Sequence, residues 1–122
     1  MRKRARIVLV THPVRGARVF ARFLVARRLA ACVQLVPLAS IYRWRGRIEE
    51  AREVLLSIKT TRARVAAIER HVQSAHPYDT PELVVLAPEH VERRYLAWLH
   101  AETDAPRANG RRAKLGGPRR RA

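Results

Sequence analysis

Ile7-Val8-Leu9-Val10 is an unbroken apolar run of β-branched residues and leucine, the pattern of a buried central strand. Thr11-His12-Pro13 is read as its end. From Arg15 to Ala30, Ala17, Phe20, Ala21, Leu24 and Val25 recur at helical spacing, with Arg15, Arg18 and Arg22 on the polar side. Cys32 to Leu38 is strand-like, and Pro37 marks an edge or a bulge. Ile41 to Trp44 resumes the strand, Arg45-Gly46-Arg47 is a short turn, and Ile48 to Lys59 returns. Together these form one long hairpin whose apolar end is Val54-Leu55-Leu56-Ser57-Ile58. Thr61 is placed to cap a helix on Val65, Ile68 and Val72 that ends at Ala75. Leu83 to Leu86 reads as another buried strand, and Val91, Tyr95, Trp98 and Leu99 mark a short final helix.

The order β-α-β-β-α-β-α predicts an α+β fold of ferredoxin-like βαββαβ type. In it an antiparallel sheet carries two helices on one face, with a short C-terminal helix added and a long hairpin between the second and third strands. The expected boundaries are a basic N-terminal arm at 1–5, a folded domain at 6–103 and a disordered basic tail at 104–122. The net charge of +16 is concentrated at the ends. Residues 1–6 hold Arg2, Lys3, Arg4 and Arg6, and residues 105–122 hold six arginines and Lys114, with no acid in either stretch. Such a tail makes weak non-specific nucleic-acid contact one reading of it. Cys32 is the single cysteine, which excludes an intrachain disulfide, and no segment has transmembrane length. The expectation is a cytoplasmic protein that makes no membrane contact.

His76-Pro77-Tyr78-Asp79-Thr80-Pro81-Glu82 concentrates an imidazole, a phenol and two carboxylates on stiff backbone. The prolines hold φ near −65° and keep His76 and Thr80 out of the helical region. A metal would draw on His76, His12 and Cys32, with Asp79 and Glu82 as carboxylate helpers. No pair of them has a short metal-binding spacing, so the fold or a neighbouring subunit would have to assemble the site. A ligand pocket would draw on Lys59, Tyr42, Trp44, His76 and Tyr78, with Asp79 and Glu82 nearby, and would suit a carboxylate or phosphate. Lys59 could instead pair with Glu53 or Asp79. Cys32 reads as a small buried hydrophobe, His71 and His100 as solvated, and His90 as capping or exposed. No nucleophile elbow or phosphate loop is present, so no enzyme is expected. Tyr42 and Trp44 near the hairpin tip would leave large rings exposed in a monomer, which points to association.

Several segments together resemble the CutA-like divalent-cation tolerance family. They are Leu29-Ala30-Ala31-Cys32-Val33, Ser40 to Ile48, Glu53, Ile58-Lys59-Thr60-Thr61, His76 to Leu83 and Tyr95-Leu96-Ala97-Trp98-Leu99. The resemblance spans roughly residues 6–103. It implies a homotrimer built through sheet edges and the long hairpin, with a link to copper and other divalent metal ions. It also implies copper ligands at positions that here are Val10, Ala75 and His76, of which only His76 has a donor side chain. His12 shares a strand face with Val10. A PII-like signalling trimer binding small anions shares the fold, yet needs a long effector loop where this chain has a short turn. An RNA-binding domain of this fold needs aromatics on its middle strands, and Ile7–Val10 and Leu83–Leu86 have none.

Overall fold

The computed structural model describes residues 4–104. Residues 1–3 of the expected arm and 105–122 of the expected tail lie outside the described residues. The elements are β1 (Ala5–Pro13), α1 (Ala17–Ala26), β2 (Cys32–Trp44), β3 (Arg47–Thr61), α2 (Arg62–Ala75), β4 (Val84–Leu86) and α3 (Arg93–Thr103). The four strands form one antiparallel sheet in the order β2-β3-β1-β4. The α+β, ferredoxin-like arrangement is therefore the one observed.

Alternation along the central strands supplies one core face. Val8, Val10, Leu56 and Ile58 are fully buried there. Phe20 and Leu24 of α1 and Ile68 and Val72 of α2 close over them. In α1 the buried set is Ala17, Phe20, Ala21 and Leu24, a single helical stripe. Gly16 opens that helix at φ 87°, a left-handed conformation that favours glycine.

β1 runs three residues past its expected end. Beyond Leu9 it has only β3 as a neighbour, so Pro13 sits where no second partner needs its missing N–H. Thr61 occupies the N-cap position of α2, but its side chain makes no cap bond. The N–H of Arg62 instead donates to the Arg4 carbonyl at 2.9 Å. β4 is an exposed edge rather than a buried strand. Val84, Val85 and Leu86 are each about two-fifths exposed, because among the described residues β4 pairs with β1 alone.

α3 is capped by Glu92, whose carboxylate accepts from the Tyr95 N–H at 2.9 Å. Its last carbonyls accept from Arg28 at Glu102 (3.1 Å) and from Arg64 at Thr103 (2.7 Å). That anchoring buries His100, which the sequence suggested was solvated. His71 is half-buried, stacked on Phe23 at 4.2 Å, with the Arg27 guanidinium on the same ring at 4.6 Å. His90 is exposed, as one of its two readings had it.

Candidate functional site

Two features meet to make the site, a hairpin that outruns its sheet and a loop clamped beneath it. β2 and β3 stay in register from Cys32↔Lys59 to Trp44↔Arg47. The two-residue turn takes positive φ at both Arg45 (52°) and Gly46 (79°), matching the right-handed twist of the strands. β1 pairs with β3 only as far as Pro13↔Glu53. Closer to the turn, β3 has β2 alone beside it.

The 76–82 loop fills part of the space that β1 vacates. Pro77 forbids continuation of α2, so His76 turns to extended backbone at φ −77°, ψ 138°. Its ring sits 2.7 Å from the Thr11 carbonyl through Nε2, and the Tyr78 N–H lies 3.1 Å from Nδ1. A carbonyl only accepts and an amide only donates, so the neutral tautomer with hydrogen on Nε2 is fixed. Burial is the main reason the imidazole is held below its ordinary value. The Thr11 bond and Glu53 act in the opposite sense, and His12 acts with burial.

The Tyr78 hydroxyl donates to Glu53 Oε1 at 3.0 Å. Its pKa is pushed up to about 12, first by burial and then by that bond and the charge of Glu53. Above the loop lies a cleft of about 810 Å³ lined by Thr11, Tyr42, Trp44, Glu53, Tyr78, Asp79 and Glu82, among others. Tyr42, Trp44 and Tyr78 each keep more than a third of their surface exposed, whereas Glu53 is 6% exposed.

The residues proposed from sequence separate into two groups. Tyr42, Trp44, Tyr78, Asp79 and Glu82 converge on the cleft. Lys59 does not; it lies six residues from Glu53 along β3, roughly 20 Å at ~3.3 Å per residue. It donates to the Gln34 side chain rather than to Glu53 or Asp79. Of the metal candidates, His12 and His76 adjoin, with ring centroids 4.9 Å apart. Cys32, half-buried rather than fully buried, is elsewhere: its partner Lys59 is five residues along β3 from His12's partner Val54, roughly 17 Å at ~3.3 Å per residue. His12 donates through Nδ1 to the Pro13 carbonyl at 2.8 Å, and both His76 nitrogens are engaged. Among the described residues, no three His, Cys, Asp or Glu side chains come together as a metal would require. The His76, His12 and Cys32 set therefore does not fit a resident ion within one chain.

Sequence reasoning left Glu53 out of the pocket. The turn could have found it: pairing Trp44 with Arg47 steps back to pair Leu38 with Glu53, on the sheet face that also carries Tyr42 and Trp44.

Residues 6–102 match the family described as CutA1 divalent ion tolerance protein. A divalent-cation tolerance protein CutA of Thermus thermophilus is 46% identical over 99 residues, covering 80% of this chain and 96% of that protein. A mouse protein CutA is 44% identical over 95 residues, covering 77% of this chain, which spans only about half (54%) of the mouse protein. Among solved structures, a divalent cation tolerance protein from Thermus thermophilus superimposes with a TM-score of 0.78 at 44% identity, covering 82% of this chain and 99% of that one. A PII-like protein CutA from Nostoc in apo form gives a TM-score of 0.78 at 32% identity, covering 81% and 97%. On the extent of these matches, the chain belongs to the CutA1 divalent ion tolerance protein family.

Proposed function

We propose that the chain works as a cytoplasmic homotrimer that binds a small ligand in the cleft between the hairpin and the 76–82 loop, in the service of divalent-ion tolerance. The observation that carries this reading is the unsheltered hairpin. Ile41 and Ile48 are 70% and 69% exposed on one face of the hairpin, and Tyr42 and Trp44 are 43% and 38% exposed on the other. A two-stranded ribbon with large apolar side chains open on both faces marks an interaction site. Two unlike sheet edges, β2 and β4, are also open within one chain. Pairing through unlike edges is heterologous, and a heterologous contact that closes makes a ring. The single thiol of Cys32, free of any disulfide, suits a reducing compartment.

The tie to divalent ions rests on family membership, and any bound ion would need donors from more than one subunit. Binding rather than catalysis fits the side chains. The groups that could move protons, His76 and Tyr78, are spent on fixing the loop, one neutral with both nitrogens engaged and one with its hydroxyl given to Glu53. The small-anion alternative loses its cation, since Lys59 is not in the cleft and the carboxylates that line it are Glu53, Asp79 and Glu82.

Sedimentation at micromolar concentration, with metal analysis of the same sample, tests the reading. A trimer mass is the expected result. A monodisperse monomer that keeps its hairpin rings protected from solvent would overturn it.

A further inference from the structure

Resting on the cleft as the ligand site, we propose that its ligand presents an organic cation, a guanidinium or primary ammonium group, which lies against Tyr42, Trp44 and Tyr78 with Glu53 as its counter-charge, and that Arg45 of the hairpin turn is an internal competitor for it.

Glu53 is the first argument. It is 6% exposed, and its hydrogen bond is to the neutral hydroxyl of Tyr78. The ion pairs among the described residues use Glu102, Asp79 and Glu92, not Glu53. A carboxylate withdrawn from water without a cation is costly, and no arginine or lysine among the described residues pairs with this one. Among the described residues, the site is thus short of one positive charge.

Arg45 is the second. Its guanidinium carbon lies 5.3 Å from the Trp44 ring centroid, and its nitrogen 3.6 Å from an Asp79 carboxylate oxygen. The chain itself therefore seats a guanidinium on an aromatic face of the cleft with an acid beside it. Both partners of that pair are largely exposed, so the hold is weak and open to exchange with a solute.

Size and donor set choose among cations. A cleft of about 810 Å³ matches a small organic molecule rather than a bare ion. The described residues bring no three metal donors together, whereas flat rings with a buried carboxylate suit a planar or alkyl-borne cation. An anion would meet three carboxylates, and Arg45, the cation that the described residues bring to the rim, is already held by Asp79.

The test uses the full ¹⁵N-labelled chain, with agmatine as the guanidinium and ammonium probe and with citrate and Zn²⁺ as the anionic and metal probes. The Trp44 indole N–H and the Tyr78 amide are followed by NMR. Agmatine is expected to shift both. Glu53→Gln should weaken it more than about tenfold, since a charged bond is lost. Arg45→Asn, which tolerates the left-handed turn, should tighten it severalfold. If citrate or Zn²⁺ shifts these signals and agmatine does not, the organic-cation inference is overturned while the cleft stands. If none shifts them at millimolar concentration, both fall. Agmatine binding that neither variant alters removes Glu53 and Arg45 from their assigned roles.

Discussion

β3 has two halves that share one backbone and differ in everything around it. At the root, Val54, Leu56 and Ile58 are at most 7% exposed, paired with β1 on one side and β2 on the other and roofed by α1 and α2. Toward the turn, Ile48 is 69% exposed with β2 as its only neighbour. The difference is not in strand propensity but in how many neighbours the chain supplies. Where β1 stops, at Pro13↔Glu53, intramolecular shelter stops too. The cleft opens at that boundary, which is why a buried acid and exposed rings lie side by side there.

The largest effect should come from the root. Leu56→Ala is expected to cost about 2–5 kcal/mol, because it empties a fully enclosed position between sheet and helices. Ile48→Ala should leave the stability of a single chain within about 0.5 kcal/mol. Denaturant midpoints at a concentration low enough to dissociate the assembly would compare them. Equal losses would mean that the tip is already sheltered within one chain.

Next is Trp44→Ala, whose effect should fall on association. A large ring buried between copies carries about 2 kcal/mol or more, roughly 30-fold in dissociation constant. Sedimentation velocity across a dilution series reads this directly, and an unchanged profile would detach the ring from the interface.

The same contrast explains what the sequence disclosed. The core stripe of α1, the apolar end of β3 and the Arg45-Gly46 turn follow from periodicity and local conformation, and those signals lie within a few residues of one another. His100 could not be placed that way. Its burial depends on Arg28, from the α1–β2 connection, and Arg64, from α2, capturing the last carbonyls of α3. β4 misled because a short apolar run looks alike at the middle and at the edge of a sheet. In the site, the 76–82 loop announced itself through its prolines, which act locally. Lys59 looked like a pocket cation because a lysine between a strand and a helix suggests anion binding, yet strand length sets it roughly 20 Å from the cleft at ~3.3 Å per residue. Glu53 was hidden for the converse reason: its role depends on where another strand ends.

A smaller effect belongs to the turn. Gly46 holds φ 79° with open space around it, so Gly46→Ala meets no clash and isolates backbone strain. A cost of about 1 kcal/mol is expected. It should appear in the denaturation midpoint without altering the mid-β3 packing seen by amide exchange. No change would show that the hairpin end is already loose.

The smallest effect, and the one that best tests the clamp between loop and sheet, concerns pH. His76 is held neutral by burial, with its folded value below the 6.5 of an unperturbed imidazole. Between the two values the unfolded chain binds more protons than the folded one. The contribution of His76 is therefore complete above about 6.5 and is lost as pH falls from there through the lowered folded value. Protonation also removes the lone pair of Nδ1, so the Tyr78 amide loses its acceptor, while Nε2 can still donate to Thr11. His71 is lowered as well, by burial and by Arg27, so each ring needs its own control. Denaturant midpoints for His76→Gln and His71→Gln, taken from pH 7.5 to 5, separate them. The slope should flatten in His76→Gln, and the Tyr78 amide signal should move over the same range in the parent and in His71→Gln alike. A slope that survives in His76→Gln would place the acid sensitivity outside the loop and leave the clamp without energetic weight.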